Sequence, residues 1–280
     1  MKRGLLVAAL HAALALVCMI VLYPVLWVVK LALSSSAGLS LSANPLPHHV
    51  TLENFAAVLG ASDSAGRWLF GRQLLSSLLV AGATTAVGLI LSVTAAYALS
   101  RFRFPGRRAS MQTLLVTQML PGTLMLIPLY SVLEKLRLLN SLSGLVLVYA
   151  TSSLPFCVWM IKGYFDTISK EFEEAAIMDG AGPFQVFVHV VLPLARPALA
   201  VTALFSFMTA WNEFIMAATL LNDSALFTLP VALQRYVGEY TTQWGKFAAG
   251  ALLVSIPVTA LFFALQKHLV GGLTAGGVKG

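Results

Sequence analysis

Residues 74–108 read LLSSLLVAGATTAVGLILSVTAAYALSRFRFPGRR. From Leu74 to Leu99 there is no Asp, Glu, Lys or Arg, and the stretch is longer than the roughly 20 residues a helix needs to cross hydrocarbon. It must be a helix, because an isolated strand leaves its backbone polar groups unsatisfied in lipid. The dyad alternation of a membrane barrel is missing. Arg101, Arg103, Arg107 and Arg108 follow at once in a very short loop, which assigns that end to the cytoplasmic side.

Working outward, five more apolar stretches are long enough to cross: about 5–33, 111–133, 143–161, 198–221 and 247–269. The expected fold is an all-α integral membrane protein of six transmembrane helices forming a single transmembrane domain over 1–280. Composition agrees: 58% of the 280 residues are hydrophobic and 10% charged, with a mean hydropathy of +0.84. Soluble domains carry about 25% charged residues, so most of this surface does not face water. With the N-terminus inside, eleven Lys and Arg fall on the cytoplasmic side against six outside, with Lys30 snorkelling at the outer end of the first span. Both termini are expected to be cytoplasmic. Lys2 and Arg3 introduce a run too long for the h-region of a signal peptide, about 7–15 residues, so the run reads as a retained span.

The net charge of +7 follows from this topology; no basic run interleaved with aromatics points to nucleic acid. Cys18 and Cys157 both lie in apolar stretches and are expected to be buried free thiols. His11, His48, His49, His189 and His268 are scattered and form no catalytic or metal-binding pattern. No internal repeat is evident.

The longest internal loop, 162–197, carries EFEEAAIMDGAGPFQVFVHVVLP from Glu171 to Pro193. Glu171 to Asp179 favours a helix, with acids in its first turns at the positive dipole end. Gly180 is a C-terminal stop, and Pro183 suits the first turn of a second helix. There Phe184, Phe187 and Val190 or Val191 fall on one stripe. Taken alone, Glu171, Glu173 and Glu174 read as a solvated face. Ala175 and Ala176 leave a smooth surface for close approach by a partner.

The whole pattern resembles the EAA loop of ABC importer permeases, through Glu174, Ala175, Ala176, Gly180, Val190, Leu192 and Pro193, with Asp179 before the glycine. The family more often has Ile at the Val190 position. Residues 97–106, YALSRFRFPG, and Trp211-Asn212-Glu213-Phe214 are similar to carbohydrate-type members. Residues 162–168 and the terminus, 271–280, resemble the smaller permease subunit of maltose-type systems. The resemblance implies a type I importer permease fold in the cytoplasmic (inner) membrane, with the loop as a coupling helix. It implies homodimeric ATPase subunits that bind ATP and Mg, a second homologous permease, an external solute-binding protein and a sugar substrate. No Gly-x-x-x-x-Gly-Lys-Ser/Thr loop occurs, so this chain itself is expected to bind no cofactor and to be no enzyme.

In that family the C-terminal tail reaches the ATPase interface, which here means Gly276, Gly277, Val278 and Lys279. An outer loop meets the binding protein, which here means Glu239, Tyr240, Gln243 and Trp244. By composition alone the first is a frayed terminus and the second an ordinary connector. Glu213, after Asn212, is the acid set deepest in a span, and is open to a pathway role or a structural one. Gln118, Pro121, Gly122 and Pro128 imply a third span that is bent or unwound. Other solutes of the superfamily (trehalose, glycerol phosphate, polyamines) and an ion-coupled secondary transporter remain as alternatives.

Overall fold

The computed structural model describes all residues except 1, 36–43, 45, 46, 48, 239–241 and 277–280, and only the backbone of 2–3 and 267–276. In chain order the helices are α1 (Lys2–Ala32), α2 (Glu53–Leu59), α3 (Leu69–Arg101), α4 (Arg107–Gln118), α5 (Leu126–Lys135), α6 (Leu142–Phe165) and α7 (Glu171–Met178). They continue as α8 (Pro183–Val186), α9 (Leu192–Leu194), α10 (Arg196–Asn212), α11 (Ile215–Leu220), α12 (Leu229–Gln234) and α13 (Trp244–Gly276). A 3-10 turn, Gly122–Met125, leads into α5, and a π-helical turn, Phe187–Val191, joins α8 to α9. Strand pairing among the described residues is limited to two bridges, Ser62 with Trp68 and Val237 with Thr242.

Among the described residues four segments are unbroken and apolar over a crossing length: Gly4–Ala32, Leu69–Arg101, Leu142–Phe165 and Trp244–Gln266. Two bent pairs bring the number of spans to as many as six. The first is the expected third span, which turns by 98° between Arg107–Gln118 and Gly122–Lys135. Pro121 explains the break: it lacks an N–H and drives the residue before it away from helix. The second pair turns by 76° between Pro183–Leu194 and Arg196–Asn212. The fifth span differs from the expected 198–221, because α10 stops at Asn212 and α11 is a separate helix.

Two compact units are formed, one from 1–72 and 231–256, the other from 73–230 and 257–280. In the first, the Asn54 side-chain amide donates to the carbonyls of Ala32 (3.0 Å) and Ser34 (2.8 Å), fastening α2 to the end of α1. Much of α1 packs on nothing in its unit, with Leu5 71% and Ile20 63% exposed. Cys18 lies on this face and is exposed, contrary to expectation, whereas Cys157 is buried in α6. An apolar run alone does not say whether its neighbour is protein or lipid. Lys30 does not snorkel either: it is buried and its ammonium donates to the Asn44 carbonyl at 2.5 Å.

In the second unit α3, α6 and α10 approach closely through small residues. A Cβ on Gly88 would stand 3.5 Å from Ser153 Oγ and 3.7 Å from Ser206 Oγ, the packing that replaces hydrophobic drive between membrane helices. A buried cluster of Val93, Ala96 and Leu99, with Val158, Ile161, Phe165, Val186, Val191 and Ala195, ties α3 and α6 to the loop helices.

Between α5 and α6 the chain turns through two non-glycine residues of positive φ, Arg137 (56°) and Asn140 (52°). The Asn140 N–H donates to the Leu220 carbonyl at 2.9 Å, and its Oδ1 accepts from the Asn222 and Asp223 N–H groups at 2.9 and 3.0 Å. Asn tolerates this conformation better than most residues, and its carbonyl replaces the missing partners of 222–223. Asn140→Ala is expected to lower unfolding stability by about 2 kcal/mol, from the left-handed backbone and the lost hydrogen bonds. Asn140→Asp, which keeps the acceptor, should lose much less; thermal melts of the purified protein check the order.

Candidate functional site

The loop from Lys170 to Pro193 folds as a helical corner. Lys170 O accepts from the Glu173 and Glu174 N–H groups, each at 2.9 Å, to start α7. At its other end Gly180 takes φ +87°. The Gly180 N–H donates to Ile177 O (2.9 Å) and the Ala181 N–H to Ala176 O (3.0 Å). This is a Schellman stop, which needs a residue free of Cβ strain at the left-handed position. Pro183 opens α8, and the Gln185 side chain accepts from the Gly182 N–H at 2.9 Å.

The corner has two unlike faces. Outward stand Phe172 and Ile177 (both 56% exposed), Met178 (88%) and Phe184 (77%), around exposed Glu174, Ala175 and Asp179. Inward, Ala176, Ala181, Phe187, Val190 and Leu192 pack against the buried cluster, and Val186 and Val191 belong to it; Pro193 is half-buried. Phe184 therefore departs from the expected stripe. The π turn at Phe187–Val191 adds a residue to the repeat and puts Val186 and Val191, five apart, on the packed side.

Glu173 also departs from the solvated reading. It is buried and paired with Arg101 at 2.5 Å, while Glu171 and Glu174 stay exposed. Nothing in the acid cluster itself distinguishes Glu173; its spacing of three from Ala176, on the packed face, is the available signal. Beside it Ser100 Oγ donates to Asp166 Oδ1 at 2.6 Å, and Lys162 pairs with the same carboxylate. Partial burial pushes the Asp166 carboxyl up, but the Lys162 and Ser100 hydrogen bonds outweigh it and hold the group below its usual range. The Arg107 Nε donates to Leu99 O at 2.7 Å, covering a free carbonyl at the end of α3.

The other expected sites fall elsewhere. Asn212 is exposed and its amide donates to Met208 O at 2.9 Å. Glu213 occupies the break after α10, where Oε1 accepts from the Met216 N–H (2.8 Å) and Oε2 from the Ala217 N–H (3.1 Å) and the Tyr149 hydroxyl. Its carboxylate thus covers two free donors at the start of α11. A cleft of about 420 Å³ at the break in the third span is lined by Gln118, Gly122, Thr151, Ser152 and Met216, among others. Between α12 and α13 the Gln243 N–H donates to Tyr236 O at 2.8 Å and Trp244 begins α13. Glu239 and Tyr240 lie outside the described residues, as do Gly277, Val278 and Lys279; Gly276 ends α13.

Residues 88–274 match the family described as binding-protein-dependent transport system inner membrane component, and the chain belongs to that family. It is thus one membrane component of a transporter. Along 96% of its length it is 38% identical to the maltose/maltodextrin transport system permease protein MalG of Salmonella typhimurium, covering 95% of that protein. The MalG of Escherichia coli strain K12 gives the same values. A chain of a solved bacterial ABC transporter involved in the import of the acidic polysaccharide alginate superposes with a TM-score of 0.78. It is 26% identical, with 95% of this chain and 97% of that one covered. The MetNI methionine ABC transporter, inward facing, shares the fold at a TM-score of 0.61 and 18% identity, over 75% of this chain and 98% of that one.

The capping geometry of Glu213 makes a prediction. Glu213→Ala should lower stability by about 1–2 kcal/mol and reduce the recovery of assembled complex, whereas Glu213→Gln keeps an acceptor and should transport normally. Loss of transport in Glu213→Gln at full assembly would show that the charge itself serves the pathway.

Proposed function

We propose that this chain is one of two permease subunits of an ATP-driven, binding-protein-dependent importer for a maltose-type oligosaccharide. The observation that carries the substrate class is the 38% identity to MalG along 96% of the chain. The alginate importer, also a carrier of sugar polymers, supports the same class at 26% identity. Membership of the family sets the chain apart from ion-coupled secondary transporters.

The outward face of the loop corner supports the coupling role. Four exposed apolar side chains, Phe172, Ile177, Met178 and Phe184, flank the bend, together with small, exposed Ala175. Such a patch beside charged Glu174 and Asp179 suits a cleft on a soluble partner, and exposed apolar patches mark such contacts. That partner is the ATPase pair, which binds ATP and Mg. Gly180 sets the corner angle, and Val190, Leu192 and Pro193 anchor it to the spans. Both termini face the cytoplasm, as the arginines after α3 require. Gly276 to Lys279 reach the ATPase, and Glu239, Tyr240, Gln243 and Trp244 meet the binding protein. Glu213 serves as the cap of a broken span, with Asn212 ending the helix before it.

Reconstitution with the ATPase, the partner permease and the binding protein tests this reading. Maltodextrins should stimulate ATP hydrolysis and be taken up. Gly180→Pro should abolish uptake while the chain still inserts, since proline cannot adopt φ +87° and has no N–H for Ile177 O. Stimulation by a glycerol phosphate or a polyamine, with no response to any sugar, would refute the substrate class. Normal uptake in Gly180→Pro at matched expression would refute the coupling role.

A further inference from the structure

Arg101 closes α3, and Glu173 stands in the first turn of α7, 72 positions later. The Arg101 Nε donates to Glu173 Oε1 at 2.5 Å, with the two side chains only 7% and 11% exposed. The remaining groups are also engaged. Nη1 donates to Ser100 Oγ (3.1 Å), Nη2 to the Ile168 carbonyl (3.1 Å), and the Tyr97 hydroxyl to Glu173 Oε2 (3.2 Å). The Tyr97 ring packs against Phe165 of α6 and Phe187 of the π turn, with centroids 6.2 and 4.6 Å apart. One guanidinium therefore joins the last turn of α3, the link between α6 and α7, and α7 itself.

The arrangement is poorly explained by stability alone. Desolvation consumes most of what a buried ion pair gains, and a matched apolar pair often serves as well. What the pair supplies is direction. Apolar contacts are non-directional, whereas a planar guanidinium with its donors fixed in a fork sets the orientation of everything it binds. The rest of α7 offers few other holds, since Glu171, Phe172, Glu174, Ala175, Ile177 and Met178 are all exposed. Ala176 packs on the buried cluster through a single methyl group. A displacement imposed on the outer face of α7 thus has Glu173 as its firm connection to the spans.

We propose that the Arg101–Glu173 pair is the strut that delivers movement of α7 to the second span, α3, with Arg101 as a positioning residue for energy coupling rather than a contact to the ATPase. The proposal rests on the coupling reading above and adds to it the residues that transmit the motion.

The test uses the full transporter in proteoliposomes, with ATPase, partner permease and binding protein, and reads sugar imported per ATP hydrolysed. Variants are compared at matched recovery of complex and matched melting temperature. Arg101→Ala and Glu173→Gln should each lower the ratio by roughly tenfold, a typical size for coupling between sites. Arg101→Lys, which keeps charge but loses the fork, should fall between them and the wild type. The double variant should be no worse than either single one, because both remove the same link. Should Arg101→Ala not assemble, Tyr97→Phe carries the test: it removes only one hydrogen bond to Glu173 and should lower the ratio in the same direction. Wild-type ratios in all of these, or additive losses in the double variant, overturn the strut. Gly180→Pro in the same assay separates the two levels. If it abolishes import while the strut variants behave as wild type, only the strut fails; if it too keeps the wild-type ratio, the coupling reading fails with it.

Discussion

A backbone N–H or C=O left without a partner in hydrocarbon costs several kcal/mol, and this constraint decides where the chain can bend. Its long helices satisfy themselves. An interruption needs substitute partners, and at three of them among the described residues a side chain supplies one. Glu213 covers the Met216 and Ala217 N–H groups where α10 gives way to α11. Asn140 serves Asn222 and Asp223 across the turn between α5 and α6. Arg107 caps the Leu99 carbonyl as α3 ends. Polar side chains thus secure the backbone at these three irregular points.

The same logic shapes the loop corner. Its helices are too short to be stable by themselves, so they depend on docking. Val186 and Val191 enter the buried cluster with Ile161 and Phe165, and this docking fixes which side faces outward. An apolar outer face results, with Met178 and Phe184 among the most exposed large side chains of the chain. On the coupling reading proposed above, a cluster that holds the inner face and a partner that takes the outer face are two requirements of one device.

The parts of this structure that were legible in the sequence are those governed by period and punctuation. Uncharged runs longer than a bilayer give α1, α3, α6 and α13, and Pro121 with Gly122 marks the break in the third span. Gly180 and Pro183 mark the corner to the residue. What was not legible depends on long-range pairing. The end of the fifth span at Asn212 is decided by how Glu213 bonds, and an apolar sequence running on to Leu221 conceals it. The exposure of Cys18 depends on what lies beside α1, which hydropathy does not encode. In the second loop helix Phe187, Val190 and Val191 lie on the packed side as the stripe implies, and Phe184, one turn ahead of the π turn, is the member that faces outward.

Glu173 shows the limit most clearly. Three acids within four residues look alike in sequence, and two of them are solvated. Besides its spacing from Ala176, the third is set apart by an arginine 72 residues earlier that lies at the end of a different helix. Composition argues against burying such a pair, because removing two charges from water is costly and the attraction between them seldom repays it with a large surplus. A pair retained in spite of that cost must provide something that an apolar contact does not. Here it fixes the orientation of α7 relative to α3 through groups on three segments, Ser100, Ile168 and Glu173. On the coupling reading proposed above, motion passes from a soluble face into helices that lipid keeps from unwinding, so stiffness at that junction matters more than net stability.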